Sequence, residues 1–310
     1  MRGLLFFNTV AYSSEGMFTL DLSRVGMASV LVTGGNGFIG THLCRHLQGL
    51  GHHVLSLDIM HTDSHPWECI SADIRDNLQF DGIDYIVHLA AQISVPESID
   101  NPDLTLSINV DGTKSIISAA ESAGVTKIIF ASSAAVYGDC EEIPITEAAT
   151  LIPQSPYAVS KIVGEELLRR AEIETCSLRF FNVYGPDQPS EGGYAAVIPA
   201  FKKAISLGKE CTIFGDGTQV RDFIHVNDLV RIIGFCLEAR NLPTEMNVAS
   251  GTETSLLDLI AILNEMNPDM RPPVFAEERP GDIHTSVADI SLLLSTLPVG
   301  EMTTLKEGLS

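Results

Sequence analysis

Tyr157 and Lys161 stand four residues apart, so a helix through this segment puts them on one face, one turn from each other. An ammonium beside a phenol favours the phenolate and lowers the tyrosine pKa from its ordinary value of about 10 toward the working pH. Tyr157 is then a candidate general base with Lys161 as its electrostatic support. Ser155 and Pro156 suit an N-cap and a first helical position, which sets Tyr157 in the first turn, near the positive end of the helix dipole. Far upstream, the run TGGNGFIG at 33–40 supplies glycines for a tight turn and for close approach of backbone to a pyrophosphate. Such a loop predicts a nicotinamide dinucleotide, whose hydride chemistry needs a proton partner.

The elements around these residues must hold them together. Ala28 to Val32 is a valine-rich apolar run that suits a strand buried on both faces. The glycine loop follows it. Leu43, Leu47 and Leu50 continue at helical spacing to Gly51, and Val54 to Asp58 reads as the next strand. Asp58 ends that strand, where it can accept hydrogen bonds from an adenosine ribose and repel a 2′-phosphate, so NAD is favoured over NADP. Ala72, Asp73 and Ile74 end a further strand and line an adenine pocket. Tyr85 to Ala91 is another, with small residues Ala90 and Ala91 at its end. Asn109 opens a helix running to Gly124, and Lys127 to Phe130 forms a strand beyond which lie Ser132 and Ser133. The Tyr157 helix runs through Arg170, and Thr175 to Phe181 is a further strand. Strands and helices alternate throughout, as in an α/β fold with a doubly wound parallel sheet of the Rossmann kind.

From Asn182 onward glycine, proline and aromatic residues become frequent, which predicts a smaller C-terminal substrate-binding lobe. The expected division is 27–181 with 221–250 for the dinucleotide-binding domain, and 182–220 with 251–310 for the lobe. Arg221 and Arg279 either clamp a diphosphate by bidentate hydrogen bonds or pair on the surface. His61 and His65 have no third ligand at suitable spacing, so no metal site is expected.

Composition narrows the partners. The 310 residues include 40 acidic against 19 basic side chains, a formal net charge of −21 that repels nucleic acid phosphates and anionic membranes. No apolar run approaches the ~20 residues of a membrane span. Six scattered cysteines form neither a metal-binding pair nor a disulfide framework, which fits a reducing, cytoplasmic setting. Residues 1–26 read as an extension outside the fold, because Met27 stands directly before the first strand.

Seven stretches, taken in order, resemble the extended short-chain dehydrogenase/reductases, and within them the UDP-glucose/UDP-galactose 4-epimerase-like nucleotide-sugar enzymes. They are TGGNGFIG at 33–40, HLAA at 88–91, SSAAVYG at 132–138, YAVSK at 157–161, RFFNVYG at 179–185, RDFIHV at 221–226 and RPGDIHTSVAD at 279–289. The resemblance extends from about Ala28 to the C-terminus. It implies NAD contacts at Gly34, Gly37, Phe38, Ile39, Gly40, Asp58, Asp73, Ile74, Leu89, Ala90, Ala91, Asn109, Tyr157, Lys161 and Phe181. It implies that Ser133, Asn182, Val197, Phe201, Arg221, Arg279, Asp282 and Ser286 face the nucleotide sugar, a UDP-hexose. A homodimer through a four-helix bundle is implied as well.

Family dehydratases carry an acidic pair just after the position of Ser133, and decarboxylases a glutamate, because those reactions need extra proton-transfer groups. Here Ala134 and Ala135 follow. That leaves Tyr157, helped by Ser133, and implies C4 epimerisation through a 4-keto sugar, with hydride passing to NAD and back. Ser286 stands where some relatives carry a bulky tyrosine, which implies tolerance of an N-acetyl group at C2, as in UDP-GlcNAc and UDP-GalNAc. Relatives continue through a further helix beyond the segment at 305–309, so the lobe is expected to lack a packing element. Two other readings stay open: a nucleotide-sugar 4-ketoreductase, and a non-catalytic NAD-binding sensor, for which a base beside the nicotinamide would have no use.

Overall fold

The computed structural model describes residues 11–13, 16–18, 27–62, 64–190, 196–279 and 283–310. The extension expected at 1–26 lies mostly outside the described residues.

The alternation of apolar runs and helical periods becomes strands β1 (Ser29–Thr33), β2 (His53–Asp58), β3 (Glu68–Ser71), β4 (Tyr85–His88), β5 (Lys127–Ser133) and β6 (Glu174–Phe180). The helices between them are α1 (Phe38–Gly49), α2 (Val95–Asp100), α3 (Pro102–Leu106), α4 (Gly112–Ala123) and α5 (Pro156–Arg169). Then follow β7 (Asn182–Tyr184), α6 (Val197–Ser206), β8 (Thr212–Phe214), β9 (Val220–His225), α7 (Val226–Glu238) and β10 (Glu245–Val248). The last elements are β11 (Glu253–Ser255), α8 (Leu256–Met266), β12 (Val274–Ala276), β13 (Thr285–Ser286), α9 (Ser291–Thr296) and α10 (Leu305–Leu309).

Seven strands form one parallel sheet in the order β10-β6-β5-β4-β1-β2-β3. Side chains alternate between its faces. Val30 and Val32 of β1 join Leu43 and Leu47 of α1 and Ile232 and Ile233 of α7 on one side, while Leu31 joins Ile86, Ile116 and Ile128 on the other. A strand covered on both faces has no polar positions to spare, which is why these runs read as continuous apolar sequence. The strand order reverses between β1 and β4, and ligands of open parallel sheets bind in the crevice at such a point, outside the carboxyl ends of the strands.

The second part of the chain builds a separate core. β9 pairs with β11, β13 and β7, and β8 pairs with β12. The boundary expected at 221 therefore falls inside a strand whose partners are lobe elements, whereas α7, which follows it, packs against α1. Leu309 of α10 is buried with Tyr184, Phe201 and Phe223 in the lobe core.

One expected helix starts earlier than its sequence indicates. The helix expected to open at Asn109 is preceded directly by α3, and a π-helical turn over Ser107–Asp111 joins α3 to α4. Pro102 fits the first helical position, and the widened turn carries the chain past Asn109 without a break.

Candidate active site

The glycine turn is shaped by contacts that forbid side chains. Gly34 has φ 68°, and a Cβ there would lie 2.8 Å from the Ala90 nitrogen. A Cβ on Gly40 would lie 2.1 Å from the Gly34 carbonyl oxygen. These glycines let α1 begin against the ends of β1 and β4. Gly37 caps α1 with no side-chain hydrogen bond, and no acidic residue occupies the first turn. The first amides of α1 are left for an anion.

A cavity of about 610 Å³ opens over this turn. It is lined by Gly34, Gly37, Phe38, Ile39, Gly40, Asp58, Asp73, Ile74, Leu89, Ala90, Ala91, Tyr157, Lys161 and Phe181, with Ser133. Asp58 accepts hydrogen bonds from the backbone amides of Asn36 and Met60, 3.1 and 3.0 Å away, so its carboxylate is fixed at the β2 end. Hydrogen bonds from Arg75, whose Nη2 lies 2.6 Å away, hold Asp73 below the usual carboxylate pKa. The uncapped helix start, the closely packed glycines and the anchored Asp58 fit a dinucleotide.

Asn109 is placed otherwise than expected. It is not among the residues lining this cavity. Its Oδ1 accepts from the Gln92 amide at 2.7 Å, and its Nδ2 donates to the Gln92 carbonyl and the Ser160 hydroxyl, both at 2.9 Å. Ser160 in turn donates to the Tyr157 carbonyl at 2.7 Å. With its amide hydrogens spent inside the protein, Asn109 braces the cavity wall and the first turn of α5.

At the other end of the cavity, β5 ends at Ser133 and α5 begins, its N-cap Ser155 accepting from the Ala158 amide at 3.1 Å. Ser133 and Tyr157 both line this end of the cavity, and the Ser133 Oγ accepts from the Ala135 amide at 3.2 Å. Lys161 is buried, its Nζ donating to the Ala131 carbonyl at 2.8 Å. Burial lowers its pKa to about 8, against the opposing pull of Glu165. The expected fall in the Tyr157 pKa does not come from these groups: burial raises it, with the Ser133 side chain working the other way. The physical reason is direction, since the ammonium points at a backbone carbonyl and lies 5.7 Å from the centroid of the phenol ring.

A second cavity, of about 320 Å³, brings together Asn182, Val197, Phe201, Arg221 and Arg279. Val183 lines both cavities, so they meet at β7. Asn182 donates to the Asp222 carbonyl at 3.1 Å, and the Arg279 guanidinium stacks 3.8 Å over the Phe214 ring. Ser286 is half-buried on β13, paired with Arg221 of β9, and is not among the residues lining this cavity. Asp282 lies outside the described residues.

Sequence reasoning passed over the groups that fix this geometry. Asp222 is fully buried, accepting from the amides of Ser250 (2.8 Å), Gly251 (3.0 Å) and Ala288 (3.3 Å) and from the Ser250 hydroxyl (2.7 Å). Burial raises its pKa while these four donors lower it. It locks β9 to the 250–251 turn and to Ala288, two residues beyond β13. Only its place in RDFIHV, beside Arg221, could have drawn attention to it.

Residues 30–249 match the NAD dependent epimerase/dehydratase family. A UDP-glucose 4-epimerase of Mycolicibacterium smegmatis is 34% identical over 303 residues, covering 90% of this chain and 96% of the relative. Among solved structures, a UDP-N-acetylglucosamine 4-epimerase from Methanobrevibacter ruminantium, in complex with UDP-N-acetylmuramic acid, superposes with TM-score 0.85 at 33% identity, covering 91% of this chain and 96% of that one. The UDP-glucose 4-epimerase of Thermotoga maritima with UDP-glucose gives TM-score 0.83 at 31% identity, with 91% and 96% covered. With its glycine turn, its seven-stranded parallel sheet and these matches along nearly its whole length, the chain belongs to the NAD dependent epimerase/dehydratase family, and its cofactor is NAD.

Proposed function

We propose that the protein inverts C4 of a UDP-hexose, interconverting UDP-glucose and UDP-galactose through a 4-keto sugar. The observation that carries this reading is the economy of proton-transfer groups at the end of β5. Ser133 and Tyr157 face the cavity with Lys161, while the positions after Ser133 are Ala134 and Ala135, which cannot move a proton.

NAD supplies the hydride acceptor when bound and gives the hydride back. The amides at the start of α1 hold its pyrophosphate and Asp58 its ribose. Ser133 orients the sugar 4-hydroxyl toward Tyr157. Tyr157 takes the hydroxyl proton as C4 is oxidised and returns one to the 4-oxygen as C4 is reduced on its other face. The phenolate is favoured by the positive nicotinamide ring of bound NAD, and Lys161, 5.7 Å from the centroid of the phenol ring, keeps a cation under the same end of the cavity. Asn182, Arg221 and Arg279 anchor the nucleotide diphosphate across Val183, so that the keto sugar turns over without leaving. With Ser286 in place of a bulky residue, UDP-GlcNAc and UDP-GalNAc are accepted too.

The reading includes a homodimer, supported by the exposed apolar side chains Ile99, Leu104 and Val159 on α2, α3 and α5. Light scattering reads its mass.

Purified protein is incubated with UDP-galactose and, separately, UDP-GalNAc, without added cofactor, and the sugars are analysed at equilibrium. The C4 epimers appear if the reading holds, and are lost in Tyr157→Phe. Absence of UDP-glucose even after NAD is supplied rejects the UDP-hexose reading. Turnover of the plain sugars without the N-acetylated ones rejects the role given to Ser286.

A further inference from the structure

Lys161 rests in a socket beneath the reaction site. Besides the Ala131 carbonyl, its Nζ meets the ring of Phe130, with 4.9 Å from the nitrogen to the ring centroid. Phe130 is buried on β5, three residues before Ser133, and is not among the residues lining either cavity described above. The helix carrying Lys161 can settle on that ring because residue 164 is glycine: a Cβ there would lie 2.6 Å from the Phe130 Cζ. A cation held over an aromatic face and shielded from water gains far more than one at the surface.

We propose that Phe130 is a positioning residue for Lys161, its ring face holding the ammonium in its charged form under the cofactor cavity. The inference rests on the reading of Lys161 as part of the proton-transfer machinery. The other groups facing Lys161 leave this task to the ring. Tyr157 and Glu165 come from its own helix, and Glu165 is already paired with Arg179 of β6, Nη2 to Oε2 at 2.7 Å. From β4 comes His88, whose two ring nitrogens are taken by Thr33 at 2.7 Å and Thr113 at 3.0 Å. Burial and the nearby ammonium hold that imidazole neutral. Neither a blunted carboxylate nor a neutral imidazole balances the ammonium fully.

The test is a titration of Lys161 by carbon-13 NMR of Cε in the full-length, NAD-bound protein, assigned by its absence in Lys161→Met. Replacing Phe130 by leucine, or by a difluorinated phenylalanine of nearly the same shape but an electron-poor ring, should lower the Lys161 midpoint by ~0.5 to ~1.5 pH units, the fluorinated ring by less than leucine. The high-pH limb of turnover should move with it. A midpoint unchanged in the fluorinated protein overturns the proposal, and that protein decides alone if Phe130→Leu does not fold. Because the titration needs no sugar, a failure of UDP-hexose turnover would reject the proposed function while the role of Phe130 is still decided.

Discussion

Arg179 and Glu165 face each other inside the protein through two hydrogen bonds, Nε to Oε1 at 2.9 Å and Nη2 to Oε2 at 2.7 Å, with both side chains almost sealed from solvent. The pair does not stand alone. Ser132 donates to Glu165 at 2.6 Å, and Arg179 also reaches the Tyr137 hydroxyl and the Glu147 carbonyl, both at 3.0 Å. The end of β5, helix α5 and strand β6 are thereby tied together directly behind Ser133. Two charges out of water need each other more than the fold needs the pair. Arg179→Met strands the carboxylate and should cost ~3 to ~5 kcal/mol in urea unfolding, and Glu165→Met with Arg179→Met should recover much of it. A cost below ~1 kcal/mol for the single change would show that the pair is not coupled as described.

His88 makes stability depend on acid. Its pKa is lowered by burial to about 3, with Lys161 adding to the effect. The unfolded chain takes up a proton near the ordinary value of about 6.5, and the folded chain does not. Stability is therefore whole above about pH 6.5 and falls toward pH 3 by ~1.4 kcal/mol per unit for this one group. Replacing His88 by Gln, which keeps polar atoms on the ring positions, should flatten that part of the pH–stability curve. An unchanged slope would mean that other groups dominate acid unfolding.

Much of the frame was legible because parallel strands must be apolar on both faces and because a dinucleotide turn must be glycine. β1, β2 and the turn at 34–40 follow from those two demands alone. What escaped notice depends on pairs far apart in sequence. Lys161 meets the Ala131 carbonyl, and Arg179 meets Glu165 from a neighbouring strand, so neither spacing nor residue type announces them. The direction of the Tyr157 shift is not legible in the spacing either, because four residues on a helix fixes which face Lys161 shares and not where its nitrogen points. The NAD contact at Asn109 is implied by the resemblance alone, and nothing in the local sequence announces the π turn over Ser107–Asp111 that buries it against Gln92 and Ser160.

Lys127 closes the far end of α7. Its buried ammonium donates to the carbonyls of Cys236 at 3.0 Å, Leu237 at 3.1 Å and Ala239, where the helix leaves its acceptors unmatched. Lys127→Met keeps the stem and removes the donors, so it should cost ~2 to ~3 kcal/mol with little effect on turnover. Calorimetric unfolding measures the first and a sugar assay the second. A stability loss under ~0.5 kcal/mol would mean that water replaces the cap.

Gly40 has no room for a methyl group, with the Gly34 carbonyl 2.1 Å from where a Cβ would sit. Gly40→Ala must push α1 away from the turn, at ~1 to ~3 kcal/mol. If the strain falls on the NAD site, affinity drops by ~10- to ~100-fold while the circular dichroism of the sheet persists. Fluorescence titration with NADH reads it, and wild-type affinity in the variant would contradict the role of this contact.

The claim that C4 is oxidised and then reduced on its opposite face is tested most directly with UDP-galactose carrying deuterium at C4. The account predicts UDP-glucose with the deuterium still at C4, in wild-type protein and without added cofactor, and no product in Tyr157→Phe. UDP-glucose in which the label has been lost to solvent or moved to another carbon would contradict it.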